Sequence, residues 1–422
     1  MLRSGICGMI IIYDSNGRKG NTTMKSKKRF GALALALVML LSGCGQKASG
    51  TVSGSAGGSA SGAGSGSTGD VSQTATVDLA QVTDPWLATA GLTGDSVVAR
   101  IGETEVTAAE LLYWLNRNTE VYLAQLGGQV SVLPWDADAG GGTLGDQMKE
   151  GALEAAIYYR GLNLLAEREG LTPDSGVAIS VDQMYGDMAA QMKSEETVEH
   201  MLWAQMLSRE LLIYLNESGD LSNQLRERYF GEDSGGYPTD AEVQAWLDEQ
   251  GIYRAKHILL ATIDLDTREP LDEAAVAQKK AKADDILEQL RGAEDPIALF
   301  DQLMNEHSED TGLAANPDGY TTEKGIMVAP FEEAALALKN GEISDIVESD
   351  FGYHIILRLP IDPESYRGQL TSQRLKERSD QLTKELGVEK TEAYGQIDPG
   401  TFWEKLGSLQ TAVQAEVQAA QG

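Results

Sequence analysis

Four histidines, His200, His257, His307 and His354, are the side chains whose charge changes nearest neutral pH. None stands in an H-E-x-x-H arrangement, so the pattern of a zinc protease is absent and no metal set is assigned. The two cysteines, Cys7 and Cys44, precede every plausible folded domain and leave neither an internal disulfide nor a cysteine-rich metal site. His257 and His354 each lie in an apolar run, Lys256-His257-Ile258-Leu259-Leu260 and Gly352-Tyr353-His354-Ile355-Ile356. Between them come a carboxylate segment, Ser308-Glu309-Asp310, and an apolar one, Gly325-Ile326-Met327-Val328-Ala329-Pro330-Phe331. Asp310 precedes Met327 by seventeen residues, Met327 precedes Phe331 by four, and Phe331 precedes His354 by twenty-three. A lone histidine on a strand is usually structural, and His200 and His307 are read that way.

The elements that must hold these residues form a compact α/β pattern. Tyr253 to Thr262 reads as a strand and 272–291 as a long amphipathic helix. Asp295-Pro296 supplies an N-cap and N1 proline for a helix whose apolar stripe is Ile297, Phe300, Leu303 and Met304. Pro330 starts a short helix ended by Asn340-Gly341, and Ile343–Val347 and Tyr353–Leu359 read as closing strands. Upstream, Val97 to Ile101 is a strand turning at Gly102, followed by the capping box Thr107-Ala108-Ala109-Glu110. The helix it opens carries Leu111, Leu112, Trp114 and Leu115 and stops at Gly127-Gly128, with further helical stretches near 145–169 and 178–217. A second capping box, Thr239-Asp240-Ala241-Glu242, starts a short helix ending at Gly251. After Pro360 the chain is helical again, with Leu375, Leu382 and Leu386 at helical spacing.

From Arg254 to Leu359 the sequence resembles the parvulin-type peptidyl-prolyl isomerases. Lys256 to Leu260 is similar to the family's xHIL first strand, Ser308-Glu309-Asp310 to the segment carrying its Cys or Asp, Gly325 to Phe331 to its GxMxxxF motif, and Gly352 to Ile356 to its GxHII last strand. Residues 96–217 resemble the N-terminal domain of secreted parvulin-type chaperones, with Ile101-Gly102 in place of the usual Asn-Gly. The whole is similar to the PrsA-type foldase lipoproteins. The resemblance implies an α+β fold: a mostly helical chaperone module built from N- and C-terminal parts, with an inserted parvulin-like α/β domain whose small antiparallel sheet is flanked by helices. It also implies that the C-terminal helix packs back on the N-terminal domain.

The same resemblance assigns roles. An X–Pro bond faces a rotation barrier of ~18–20 kcal/mol from amide resonance. It isomerises unaided in tens to hundreds of seconds, slow enough to limit folding. An enzyme need break no bond; it must favour the twisted amide over the planar one. Met327 and Phe331 are the implied apolar floor for the proline ring. His257 and His354 are implied to lie near one another in the sheet beneath and to orient Asp310, acting by positioning and electrostatics rather than covalently. No cofactor is implied. Phosphate-specific parvulins carry a basic cluster after the first strand. Here that stretch holds Asp264, Asp266 and Glu269 against Arg268 alone, so a phosphoserine preference is rejected. The family's GGxLG loop and following aromatic are replaced by Asn316-Pro317-Asp318-Gly319-Tyr320-Thr321-Thr322, with Thr322 at the usual aromatic position.

Composition and targeting set the surroundings. The chain has 422 residues, room for two or three domains, and 42% hydrophobic residues. Its net charge of −30 argues against nucleic acid, which requires clustered Lys and Arg. Lys25, Lys27, Lys28 and Arg29 precede an apolar run from Gly31 to Leu41. Eleven residues are too few for a membrane-spanning helix, which needs about 20, and fit a signal peptide instead. Leu41-Ser42-Gly43-Cys44 resembles the lipobox of bacterial lipoproteins, which implies lipidation of Cys44 and a true start at Met24. From Gly45 to Ser72, seventeen of 28 residues are Gly or Ser, the composition of a flexible tether.

The expected organisation is therefore 1–43 leader and signal peptide, 44–94 lipidated cysteine and tether, 95–251 helical chaperone domain, 252–361 isomerase domain and 362–422 C-terminal helical segment. The expected clients are unfolded exported proteins with X–Pro bonds, met outside the cytoplasmic membrane to which the lipid ties the chain. Two rivals compete. A holdase with an inactive isomerase fold is suggested by the altered loop at 316–322. A surface solute-binding lipoprotein would need a two-lobed βα alternation that residues 96–217 lack.

Overall fold

The computed structural model describes residues 77–126 and 133–421. The signal peptide, Cys44, the Gly/Ser tether and Gly127-Gly128 lie outside the described residues. Two compact units divide the chain: one takes in residues up to 225 together with 376–422, the other residues 226–375. Both boundaries fall inside helices, Arg209–Phe230 and Glu364–Leu386.

The first unit is helical around a three-stranded antiparallel sheet. Val97–Ile101 is its middle strand, flanked by Thr104–Thr107 and Val388–Lys390. The expected capping box forms at Thr107: its hydroxyl accepts the Glu110 N–H, and the Glu110 carboxylate accepts the Thr107 N–H. That carboxylate is buried and also takes a bidentate pair from Arg160 on helix Leu144–Arg168, at 2.7 and 2.9 Å. Helices Ala108–Gln125, Leu144–Arg168, Glu195–Trp203 and Pro399–Gln421 share one core. Phe402, Leu406, Leu409 and Val413, spaced three or four apart, bury one face of the last helix among Leu111, Leu112, Leu115 and Val198. Helix Pro399–Gln421 therefore packs with N-terminal residues, whereas the helix expected there, the one carrying Leu375, Leu382 and Leu386, is Glu364–Leu386, which the boundary at 375/376 divides. The stretch 178–217 is not one helix but three, Ser175–Met192, Glu195–Trp203 and the beginning of Arg209–Phe230. Lys193, in the left-handed region at φ 57°, ends the first, and Ser194 caps the second.

The second unit holds a four-stranded antiparallel sheet in the order Tyr320–Glu323, Ile252–Ala261, Gly352–Leu359, Val347–Ser349. Side chains alternate across it. Ile258, Leu260, Tyr353, Ile355 and Leu357 face helices Glu273–Gly292 and Pro296–His307, meeting Ile286, Leu290, Phe300 and Met304. Tyr253, Ala255 and Ile356 face the other way, against Phe331 and Ala335 of the short helix Ala329–Ala337. Asp295 caps the helix at Pro296 by accepting the Ala298 N–H. Ile297, expected in that helix's buried stripe, is 45% exposed, because at the second position of the helix its side chain faces solvent. The strand expected at 343–347 is displaced: Ile343 makes a lone bridge to Leu357, and regular pairing begins at Val347. Helix Asp240–Gln250 packs Val243 and Leu247 against Ile361 and Leu370 within this unit. Leu375 and Leu382 are buried, whereas Leu386, the last residue of its helix, is 42% exposed.

Candidate active site

The sheet face opposite the two helices brings the singled-out residues together. Pairing of His257 with Ile356 and of Leu259 with His354 puts the two histidines on the same face as diagonal neighbours. Their ring centroids are 5.2 Å apart, edge to face. Phe331 stands against both, 5.1 Å from His257 and 5.6 Å from His354, and is 3% exposed. Met327 packs into the same cluster, half-buried, after a turn whose Gly325 N–H donates to the buried Glu332 carboxylate at 2.6 Å. His257, His354, Phe331, Met327 and Asp310, picked out in sequence over about a hundred residues, converge on one patch.

Asp310 is delivered by a splice onto the central strand. Tyr320–Glu323 pairs only with Ile252 to Ala255, which leaves the rest of that edge open. Ser308 and Glu309 fill it. The Ser308 hydroxyl accepts the Leu259 N–H at 3.1 Å, the Glu309 N–H donates to the Leu259 carbonyl at 2.8 Å, and the Glu309 carboxylate accepts the Ala261 N–H at 2.7 Å. Lys279 pairs with the same carboxylate. The next residue, Asp310, is thereby aimed at the histidine face. Its Oδ1 accepts the Gly312 N–H at 3.0 Å, and its Oδ2 accepts the Tyr320 hydroxyl at 2.5 Å. His257 Nε2 stands 3.4 Å from that Oδ2, longer than an ordinary hydrogen bond.

The electrostatics follow from this packing. Burial works against ionising Asp310, but the approach of His257, the Tyr320 hydroxyl and the Gly312 amide outweigh it and bring the group down to about 2. His354 is 4% exposed, and burial, aided by the neighbouring His257, lowers its pKa to about 4. Its Nε2 lies 2.7 Å from the Ser349 hydroxyl, which also accepts the Phe351 N–H; its Nδ1 is buried without a partner. The site at neutral pH thus holds one carboxylate and an uncharged His354.

Three contributors were not singled out from the sequence: Glu309, Ser349 and Tyr320. Their importance depends on strand register, which no local pattern displays. Tyr320 pairs with Ala255, two residues from His257, and its ring centroid lies 5.9 Å from that of His257. The aromatic next to the histidine is therefore Tyr320, while Thr322 sits opposite Tyr253. His307 lies at the helix end beside Glu306, and buried His200 bonds Glu416 at 2.7 Å in the other unit; neither joins the site. Among the described residues no group of acidic, histidine or cysteine side chains could hold a metal.

Comparison with known proteins agrees with this geometry. Residues 257–359 match the description "Rotamase: PPIC-type PPIASE domain". The foldase protein PrsA of Geobacillus kaustophilus is 34% identical over 166 residues, 36% of this chain and 52% of that protein. The foldase protein PrsA of Caldanaerobacter subterraneus is 28% identical over 259 residues, 60% of this chain and 71% of that protein. The peptidyl-prolyl cis-trans isomerase Pin1 of Malus domestica is 42% identical over 86 residues, 20% of this chain and 65% of that protein. The chain spans about half the length of the Geobacillus relative. Residues 257–359 accordingly form a PPIC-type PPIase domain, in a chain similar to the PrsA foldases.

Proposed function

We propose that the chain is a foldase that isomerises X–Pro bonds of unfolded exported proteins outside the cytoplasmic membrane, held to that membrane by lipid on Cys44. The observation that carries the isomerase reading is the convergence of His257, His354 and Phe331 within 5.1–5.6 Å, with Asp310 against His257. Phe331 and Met327 form the floor that takes the proline ring. The planar amide places partial negative charge on its carbonyl oxygen; the twisted amide places less there. A carboxylate and the uncharged His354 beside that oxygen do not favour its negative charge, so the twisted form gains in relative terms. Nothing is protonated or bonded covalently.

The substrate bond is unphosphorylated. Asp264, Asp266 and Glu269 dominate the loop after the first strand, and the guanidinium of Arg268 lies over the Phe351 ring at 5.1 Å, occupied by a cation–π contact. The localisation rests on the signal-like residues 24–44 and on similarity to PrsA foldases. The test is a proline-isomerisation assay on the chain from residue 77 onward, with unphosphorylated and phosphoserine X–Pro peptides. Acceleration of the unphosphorylated peptide is expected. A folded protein that leaves the spontaneous rate unchanged overturns the enzyme reading in favour of a pure holdase.

A further inference from the structure

We propose that Tyr320 is a positioning residue for isomerisation, its hydroxyl holding the Asp310 carboxylate back from His257. The inference rests on the isomerase reading and adds to it what places the carboxylate of the site. The phenol and His257 approach the same atom, Asp310 Oδ2, at 2.5 and 3.4 Å. The shorter, charge-assisted bond goes to the phenol. Both nitrogens of His257 are buried and without a hydrogen-bond partner. A carboxylate freed from the phenol would close on His257 and draw a proton onto it, since an opposite charge at contact distance favours the cation. That cation would face His354 at 5.2 Å and stand where it favours the planar amide.

The chain makes room for this contact. A Cβ added at Gly312 would fall 2.2 Å from the Tyr320 hydroxyl, so no larger residue fits there with the bond intact. Gly312 also donates its N–H to Asp310 Oδ1, which fixes the carboxylate plane and leaves Oδ2 turned toward the phenol. Pairing of Tyr320 with Ala255 at the end of its strand sets the ring on the histidine face.

The experiment compares the full chain with Tyr320→Phe, which keeps the ring and removes the hydroxyl, and with Gly312→Ala, which displaces it. Histidine ring titrations by NMR and the pH profile of kcat/KM are read together. In both variants the His257 pKa is expected to rise by about one unit, and kcat/KM near pH 7 to fall about tenfold, the scale of one lost charge-assisted hydrogen bond. The fall is expected in kcat with KM unchanged, and the acid limb of the profile moves to higher pH. An unmoved His257 titration in folded variants, or a loss of activity with no shift of the acid limb, overturns the role of Tyr320. An inactive wild-type chain overturns the isomerase reading itself, a separate result because the imidazole titrations still report whether the phenol governs Asp310.

Discussion

His354 is the residue on which folding and proton binding oppose each other most directly. Unfolded, an imidazole titrates near 6.5; here burial lowers it to about 4. Between those values the unfolded chain binds a proton that the folded chain refuses, so stability falls as pH drops from about 6.5 to about 4 and levels off below. The loss is of order 3 kcal/mol over that window. Urea unfolding at pH 7 and at pH 4.5 measures it, and His354→Phe is expected to remove most of the slope. Asp310 acts in the ordinary carboxylate sense, giving stability that is lost only as pH falls toward about 2, outside the window. His257→Ala and His354→Ala are both expected to reduce isomerisation at neutral pH, checked on a prolyl peptide substrate. At this scale the sequence disclosed His257, His354, Met327, Phe331 and Asp310 because each sits in a contiguous motif. It concealed Tyr320 and Ser349, whose partners Asp310 and His354 are reached only through strand pairing and a turn.

The element that decides the site's accuracy is the short segment Ser308–Glu309, which behaves as a side-chain continuation of a strand edge. Glu309→Ala removes the acceptor of the Ala261 N–H and the partner of Lys279, and is expected to cost about 1–3 kcal/mol. Activity should fall more than stability, because Asp310 is the next residue; Glu309→Gln, which keeps an acceptor, should recover most of both. Chemical denaturation and the isomerase assay on the same preparations separate the two effects. In the helical unit, Glu110 both closes the capping box and takes Arg160. Glu110→Ala is expected to lower the denaturation midpoint by the equivalent of about 3 kcal/mol, the scale for breaking a buried pair. Capping boxes were legible because their residues are three apart. The strands Thr104–Thr107 and Val388–Lys390 were not: each has three or four residues, and the second is exposed throughout, so neither shows the alternation that marks a strand.

At the scale of the molecule, the division at 225/226 and 375/376 suggests a separation of tasks. Residues 226–375 alone are expected to fold and to isomerise prolyl bonds, as read by circular dichroism and the peptide assay. Residues 77–225 and 376–421, joined by a short Gly/Ser linker, are expected to remain helical and to slow aggregation of a denatured client without isomerase activity. Light scattering of the client with each piece is the check; protection by the isomerase piece alone would reverse the assignment. Anchoring is tested separately: Cys44→Ala is expected to abolish lipidation, read by mass spectrometry of the membrane fraction. The fold class was legible through the family resemblance that the four motifs between Arg254 and Leu359 carry, rather than through periodicity.

The first unit draws its third strand, Val388–Lys390, and its core residues Phe402, Leu406, Leu409 and Val413 from the end of the chain. A polypeptide that emerges N-terminus first, from a ribosome or across a membrane, delivers those residues last. Residues 226–375 are by then complete, whereas residues 77–225 still lack a strand and a helix of the core they share. The timing of self-assembly is thus inverted relative to chain order: the segment made first is finished last, and in a nascent chain cut short before residue 388 the second unit is complete while the first is not.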